Sequence, residues 1–112
     1  ITLIGGRFAP RYRAALARLG ARDVLHHDAI DEIPRIPGLI SAADAVLIIT
    51  GYASHAGTIK AESEIARQGK ISARVHFYGV NQVVRGVIKS LVPDMARAAQ
   101  VQAEQRRAGS PS

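Results

Sequence analysis

The chain has 112 residues, of which 47% are hydrophobic and 21% charged, so its length and composition fit one globular domain around one core. It contains no cysteine, which excludes disulfides, thiolate metal ligands and a cysteine nucleophile. The formal charge of +6 favours phosphate-bearing partners, although 12 of the 15 basic residues are arginine, and the arginine usage of a GC-rich genome would give the same charge.

The first 43 residues predict two strands and two helices. An apolar run at residues 1–4 predicts a buried strand that ends in a turn at a glycine pair. Residues 10–20 have apolar side chains at helical spacing, with a proline in the first turn and a glycine after the last. A second strand is predicted at residues 23–29, and a short helix at residues 39–43 follows two prolines and a glycine.

The rest of the chain continues the alternation. The uniformly apolar run AVLIIT is typical of a strand covered on both faces. It is followed by a helix that a serine caps and a glycine ends. The predicted elements of this part, in order, are a strand at 45–50, a helix at 54–68, a strand at 73–79, a helix at 81–92 that ends before Pro93, and a last helix at 93–108.

Strict alternation of strands and helices predicts a parallel sheet with helices on both faces, that is, a three-layer α/β domain. With right-handed crossovers, the simplest arrangement is a small Rossmann-like or flavodoxin-like domain whose four strands have the order 2-1-3-4. We expect residues 1–92 to form this domain, residues 93–108 a C-terminal helical extension, and residues 109–112 a tail. Because the sequence begins at Ile1, we also expect the domain to be part of a larger protein.

A ligand site is predicted at the carboxyl edge of this sheet. The loops GGRFAP and TGYASHAG follow the first and third strands, on either side of the point where strand order reverses. Ser54 is a good helix N-cap, so the amides of the next turn favour an anion, and Arg7 would hold it with a planar fork. In a purely structural interpretation, the glycines only form turns, Ser54 only caps the helix and Arg7 is solvated. The predicted ligand-binding residues are Gly5, Gly6, Arg7, His27, Thr50, Gly51, Ser54 and His55.

The histidines leave three interpretations open. His27 ends the second strand and His55 begins a helix at the same edge, so they would bind a metal or haem iron, supply a general base near Asp28, or hydrogen-bond the loops. His76 is interpreted as a core or face residue of the fourth strand. The sequence has no P-loop, no dinucleotide fingerprint and no acidic pair suited to Mg²⁺ at the edge. We therefore expect a binding module rather than an enzyme, with no resident cofactor or metal.

Basic and aromatic residues are the side chains from which a nucleic-acid surface would be built. Arg7, Arg11, Arg18 and Arg22 fall at near-helical spacing along and beside the first helix, and predict either a phosphate-binding stripe or a solvated helix face. The aromatic residues are far apart in the sequence and predict no stacking platform for bases. They are Phe8, Tyr12, Tyr52, Phe77 and Tyr78.

The segments LIGGR, LHHDA, SAADAVLIITGYASH and RQGK, in this order, resemble a bacterial family known as domain of unknown function 2325. The resemblance covers about residues 1–91. It is carried by Gly5-Gly6-Arg7, His27, Ala43-Asp44 and Ser54-His55. The family often has Asp, Lys and Cys where this chain has Gly51, Glu62 and Ile65. The resemblance implies a small Rossmann-like domain, often attached to other segments, and implies no activity.

These observations predict three functions in order of preference. The first is an accessory module that recognises a phosphate-bearing ligand, a nucleotide or a nucleic-acid backbone, at the carboxyl edge. The second is a histidine-based metal or haem domain or a hydrolase-type enzyme. The third is a ligand-free oligomerisation domain that uses the last two helices, since pairing is a common remedy for the exposed edges of a four-stranded sheet. Expected partners are an anionic small molecule or a nucleic acid, together with a second copy of the chain or the rest of a larger protein. No apolar run approaches the ~20 residues of a membrane span, so we expect a cytoplasmic protein without a membrane partner.

Overall fold

A computed structural model of the protein describes residues 1–109. Its strands are β1 (Thr2–Gly5), β2 (Leu25–His27), β3 (Ala45–Ile49) and β4 (Ile71–Val75). Its α-helices are α1 (Ala9–Arg18), α2 (Ile36–Ser41), α3 (His55–Gln68), α4 (Val80–Gly86) and α5 (Val92–Gly109). Short 3₁₀ turns at Ile33–Arg35 and Thr50–Tyr52 precede α2 and α3, and a π-helical turn at Val87–Leu91 joins α4 to α5.

The four strands form one parallel sheet in the order β2-β1-β3-β4, which confirms the predicted topology. In the register of this sheet, Leu3 of β1 lies between His26 of β2 and Leu47 of β3. Strand order reverses between β1 and β3, because the chain adds β2 on one side of β1 and then returns to add β3 on the other. The loops that follow β1 and β3 are therefore neighbours at the carboxyl edge of the sheet.

Helices cover both faces of the sheet and make the fold a three-layer one. Alternate residues of a strand point to opposite faces, so Leu3 and Leu47 pack with Tyr12 of α1 and with α4, whereas Ile4 and Ile48 pack with α2 and α3. Both sets are fully or almost fully buried. Because each face of the sheet has its own apolar core, the central strand β3 is apolar and buried at every position, as the sequence predicts.

Strand β4 differs from its predicted position at both ends. It begins at Ile71 and ends at Val75, because these residues pair with the two ends of β3, Ala45 and Ile49. Beyond Val75 the neighbouring strand has ended, so the chain turns away from the sheet. The prediction that His76 is a core or face residue of a strand is therefore wrong, since His76 is an exposed residue of the loop after β4.

The predicted end of a helix before Pro93 is also wrong. Helical structure continues from Val80 through the π turn to Gly109, and Pro93 lies in the first turn of α5. A π turn widens the helix immediately before the proline, which accommodates a residue that has no N–H and a bulky ring. Gly109, assigned to the tail by the sequence pattern, is the last residue of α5, and the rest of the predicted tail lies outside the described residues. The division into a domain and a helical extension stays a prediction.

Candidate functional site

Three loops meet at the carboxyl edge of the sheet and are joined by backbone hydrogen bonds. The amide of Gly6, after β1, donates to the carbonyl of Tyr52, after β3, over 2.7 Å. The amide of Gly51 donates to the carbonyl of His76, after β4, over 2.8 Å. The sequence predicts the first two loops as a site but not the third, because the predicted fourth strand extended through it.

The glycines of the predicted site allow these loops to pack closely. Gly5 and Gly6 have φ of +96° and +80°, in the left-handed region that favours glycine. A Cβ on Gly5 would lie 2.2 Å from the carbonyl oxygen of Ile49, and a Cβ on Gly51 would lie 2.1 Å from that of His76. Since the amides of Gly6 and Gly51 are already donated to protein carbonyls, these glycines shape the site rather than offer donors to a ligand.

The two predicted hydroxyl residues are also engaged with the backbone. Ser54 is the N-cap of α3, as predicted: its Oγ accepts from the amide of Gly57 over 2.9 Å and donates to the carbonyl of Ala29 over 2.5 Å. Thr50 Oγ1 donates to the carbonyl of Val75 over 3.3 Å. His55, in contrast, is exposed, and its side chain has no hydrogen-bond partner among the described residues. Of this group, His55 is the side chain that is free to contact a ligand.

His27 holds the loop after β2 and is occupied at both ring nitrogens. Nδ1 accepts from the amide of Ala29 over 2.9 Å, and Nε2 donates to the carbonyl of Glu32 over 2.9 Å. The residue is 7% exposed. These two bonds fix the neutral tautomer with its proton on Nε2. The ring therefore has no nitrogen left for a metal, a haem iron or a substrate proton while the loop keeps this conformation.

The neighbouring polar groups are likewise part of the scaffold. His26 donates from Nε2 to the carbonyl of Gly5 over 2.8 Å, and burial lowers the pKa of its imidazole. Asp28 accepts from the amides of Ile30 and Asp31, and the bond from Ile30 is the main reason that the pKa of Asp28 is lowered. The carboxylate thus terminates β2 in a turn. Its Oδ1 also lies 3.8 Å from Nδ1 of His27, the nitrogen that accepts from the amide of Ala29.

Arg7 lies between two aromatic rings at the centre of this edge. Its guanidinium carbon is 5.6 Å from the ring centre of Phe8 and 5.6 Å from that of Tyr52. The guanidinium carbon of Arg11 lies 5.7 Å from the ring centre of Phe8. All three distances are within the range of cation–π attraction. Arg7 is exposed and has no ion-pair partner within 4.0 Å among the described residues, so its fork is available to an anion.

Four of the five aromatic residues form a cluster in the folded chain although they are far apart in the sequence, and the absence of a stacking platform for bases stays a prediction. Tyr78 lies 5.5 Å from Tyr52 and 6.1 Å from Phe8, measured between ring centres, and Phe8 lies 6.2 Å from Tyr12. Apart from Tyr12, which lies in α1, they belong to the loops after β1, β3 and β4. The carboxyl ends of parallel strands share one edge, so residues about 40 and 70 positions apart in the sequence become neighbours.

Tyr12 connects two of these loops through hydrogen bonds of its hydroxyl group. It is fully buried, its hydroxyl donates to the carbonyl of Tyr78, and it accepts from the amide of Arg7 over 3.3 Å. Burial is the main reason that the pKa of its phenol is raised, so the group stays protonated as the donor that this arrangement requires. Tyr12 therefore positions the backbone of Arg7 relative to the loop after β4.

Charge is distributed unevenly between the two helical layers. Residues 1–22 and 65–93, which include α1, β4 and α4, contain no aspartate or glutamate. Arg11 and Arg18 are two helical turns apart on α1, and Arg22 follows its end; all three are exposed. Several cations of this layer have no ion-pair partner within 4.0 Å among residues 1–109: Arg7, Arg11, Arg13, Arg18, Arg22, Arg85 and Lys89. The α1–α4 layer is thus a cationic face.

The described part of the chain gives no geometric sign of a metal centre or a membrane segment. Within residues 1–109, no three histidine, aspartate or glutamate side chains are placed so that they could hold a metal ion. No helix in the same range combines the length and the apolar character needed to cross a bilayer.

Comparison with known proteins identifies the family. Searches of curated proteins and of solved structures returned no significant match. The profile of a bacterial family matches residues 1–90, which is most of the chain and includes the whole sheet and the three loops. That family is described as an uncharacterized protein conserved in bacteria, and the chain belongs to it: it is a member of DUF2325.

Proposed function

We propose that this domain is a binding module for a phosphate-bearing ligand, held at the carboxyl edge of the sheet by Arg7 and Arg11. The observation that carries the proposal is the position of Arg7, whose guanidinium group is exposed between the rings of Phe8 and Tyr52 without a carboxylate partner among the described residues. A guanidinium group near two ring faces, without an ion pair, keeps its planar fork free, and that fork matches two oxygens of a phosphate.

The start of α3 adds to the attraction for an anion. Ser54 satisfies the amide of Gly57, which leaves the amides of His55 and Ala56 without acceptors among the described residues. The helix dipole places partial positive charge at the same end, and the exposed imidazole of His55 lies there. Ser54 supports this end of the helix as a cap, and its hydroxyl is not counted as a ligand contact.

The cationic face and the aromatic cluster favour a nucleotide or nucleic acid over a simple anion. Partly exposed rings of Phe8, Tyr52 and Tyr78 offer apolar surface for a base beside the arginines that would hold its phosphate. An inorganic anion would use the arginines alone. We propose that the module acts in the bacterial cytoplasm as an accessory part of a larger protein.

The other predicted functions have less support. A metal, haem or general-base role would have to free His27, whose ring nitrogens hold the loop that carries Ala29 and Glu32. Oligomerisation stays a prediction, and the surface it would use is an apolar cavity of about 400 Å³ at the opposite end of the sheet, beside the exposed Leu19, Ile88 and Val92.

Calorimetric titration with nucleotides and short oligonucleotides tests the proposal. Arg7→Ala should weaken binding roughly ten- to hundredfold, because charge-assisted bonds to phosphate are lost. Arg35→Ala is the matched control: it removes the same charge from an exposed arginine of the other layer, where Arg35 pairs with Glu32 at 2.9 Å. The proposal is contradicted if no member of the panel binds the wild-type protein, or if Arg7→Ala and Arg35→Ala bind equally well.

A further inference from the structure

An open groove runs from the carboxyl edge along the outer side of α4, next to the unpaired edge of β4. It consists of two adjoining cavities of about 350 Å³ and 400 Å³, which share His76, Phe77 and Gln82. The first cavity is lined by Gly51 and Tyr78, and the Tyr78 ring lies 5.5 Å from that of Tyr52, so this cavity adjoins the site around Arg7. The second continues down α4 to Lys89 in the π turn. The groove therefore begins beside the candidate site and leads away from it.

The α4 side of this groove carries positive charge without acidic neighbours. Gln82, Arg85 and Lys89 are spaced three and four residues apart, so they form one stripe along the helix, about 10 Å long at 1.5 Å per residue. No aspartate or glutamate lines either cavity. Arg85 and Lys89 are exposed and have no ion pair within 4.0 Å among residues 1–109. The stripe therefore favours a ligand that carries more than one negative charge.

On the loop side of the groove lies an aromatic ring that packs in neither apolar core. Phe77 is 67% exposed and belongs to neither apolar core. The ring of His76 stands edge-on to it at 5.3 Å, and the next residue, Tyr78, joins the aromatic cluster through Tyr52. Exposing a phenylalanine ring to water is unfavourable, so a bound ligand that covers the ring would gain from its burial.

We infer that this groove is a path for single-stranded nucleic acid that continues from the phosphate site, with a base stacked on Phe77 and phosphates on Arg85 and Lys89. This inference rests on the proposed function for the first phosphate contact and adds the length and the direction of the ligand. Unpaired bases are required, because a base inside a duplex cannot place its face on a side chain at the rim of a groove. A single free nucleotide would fill the site at Arg7 without reaching Lys89.

Binding of a fluorescent oligothymidylate of about 12 nucleotides, and of the matching oligouridylate, tests the path by anisotropy. Phe77→Leu keeps the apolar bulk but removes the aromatic face, and should weaken binding roughly five- to hundredfold, whereas Phe77→Tyr should bind like the wild type. The double variant Arg85→Ala, Lys89→Ala should flatten the plot of log affinity against log salt by about 0.7 for each lost phosphate contact. Arg35→Ala should leave both quantities unchanged.

A nucleoside monophosphate, titrated into the same variants, separates the two proposals. If Phe77→Leu and the double variant bind the oligonucleotide more weakly but the mononucleotide as well as the wild type does, the path is supported. If these variants bind the oligonucleotide like the wild type while Arg7→Ala binds it more weakly, the path is overturned and the proposed function stands. If these variants bind the oligonucleotide more weakly while Arg7→Ala binds it like the wild type, the groove stands and the phosphate site at Arg7 is overturned. Equal affinity for duplex and single strand would also overturn the path.

Discussion

At the residue scale, His27 shows how a polar side chain next to a predicted site acts as a scaffold. Its ring bridges the amide of Ala29 and the carbonyl of Glu32, and both of these residues have left-handed backbone, with φ of +62° and +50°. Such conformations are unfavourable for residues other than glycine and persist only when their surroundings enforce them. Ala29 in turn accepts two bonds from Ser54, so His27 also positions the start of α3.

Replacement of His27 by alanine should therefore destabilise the fold. We expect His27→Ala to lower the free energy of unfolding by about 2–3 kcal/mol, because the buried amide of Ala29 loses its acceptor and the loop loses its brace. Urea denaturation followed by circular dichroism measures this. His55→Ala, which removes an exposed ring, should change stability by less than about 0.5 kcal/mol. If both substitutions change the free energy of unfolding by the same small amount, His27 is not structural, and metal or haem binding by His27 becomes a possible role again.

Sequence reasoning identifies some of these residues and not others. Ser54 is predictable as an N-cap, because serine before a helical pattern has one well-known local partner, the amide three residues on. His27 is not, because its partners depend on the left-handed conformation of Ala29, and alanine gives no local signal for that conformation. The role of Tyr12 depends on a contact with Tyr78, 66 residues away, which only the folded sheet brings about.

At the element scale, α3 is stabilised by a carboxylate network on its buried side. Glu64 accepts from Arg67 over 2.7 Å and from Gln68 over 3.1 Å, and it pairs with Lys60 at 3.7 Å. These residues are one turn before or after Glu64, so the network follows from helical spacing. The bonds from Arg67 are the main reason that the pKa of Glu64 falls from the ordinary 4.5 to about 2.

The lowered pKa predicts how stability depends on pH. A carboxylate whose pKa is depressed by folding stabilises the native state above its unfolded pKa, and this contribution disappears as pH falls through the folded pKa. Between about pH 4.5 and about pH 2, wild type should therefore lose more stability than Glu64→Gln, and the two should converge at the acidic end. Thermal unfolding at several pH values measures this, with Glu104→Gln, in the exposed part of α5, as the control. A constant difference between wild type and Glu64→Gln would contradict the argument.

The ends of elements show where sequence patterns fail. The pattern of apolar residues predicts the ends of β3 and α3 to within one residue, because the apolar run of β3 and the serine that caps α3 are both local signals. It misplaces β4, whose ends are determined by pairing with β3 rather than by its own composition. It also ends a helix at Pro93, where a π turn lets the helix continue. Pairing and a change of helix type are tertiary effects that a local pattern does not contain.

At the scale of the whole molecule, the parallel topology both builds the fold and assembles the site. Alternating elements predict the strand order, and strand order determines that the loops after β1, β3 and β4 share one edge. What the sequence does not reveal is that four dispersed aromatic residues meet at that edge, or that the acidic residues are confined to the other layer and the flanking segments. The α1–α4 layer thereby combines unpaired cations with exposed rings, and this combination is the basis of the nucleic-acid proposal.

The most direct measurement of the central claim is a map of backbone amide chemical shifts by NMR, recorded while a single-stranded oligonucleotide is added. We predict that the largest shifts fall in the three loops at residues 5–8, 50–54 and 76–79, in the first turn of α3 and along α4, and that the solvent side of α2 and of the rest of α3 is unaffected. Shifts confined to the α2–α3 layer, or no shifts at saturating oligonucleotide, would contradict it.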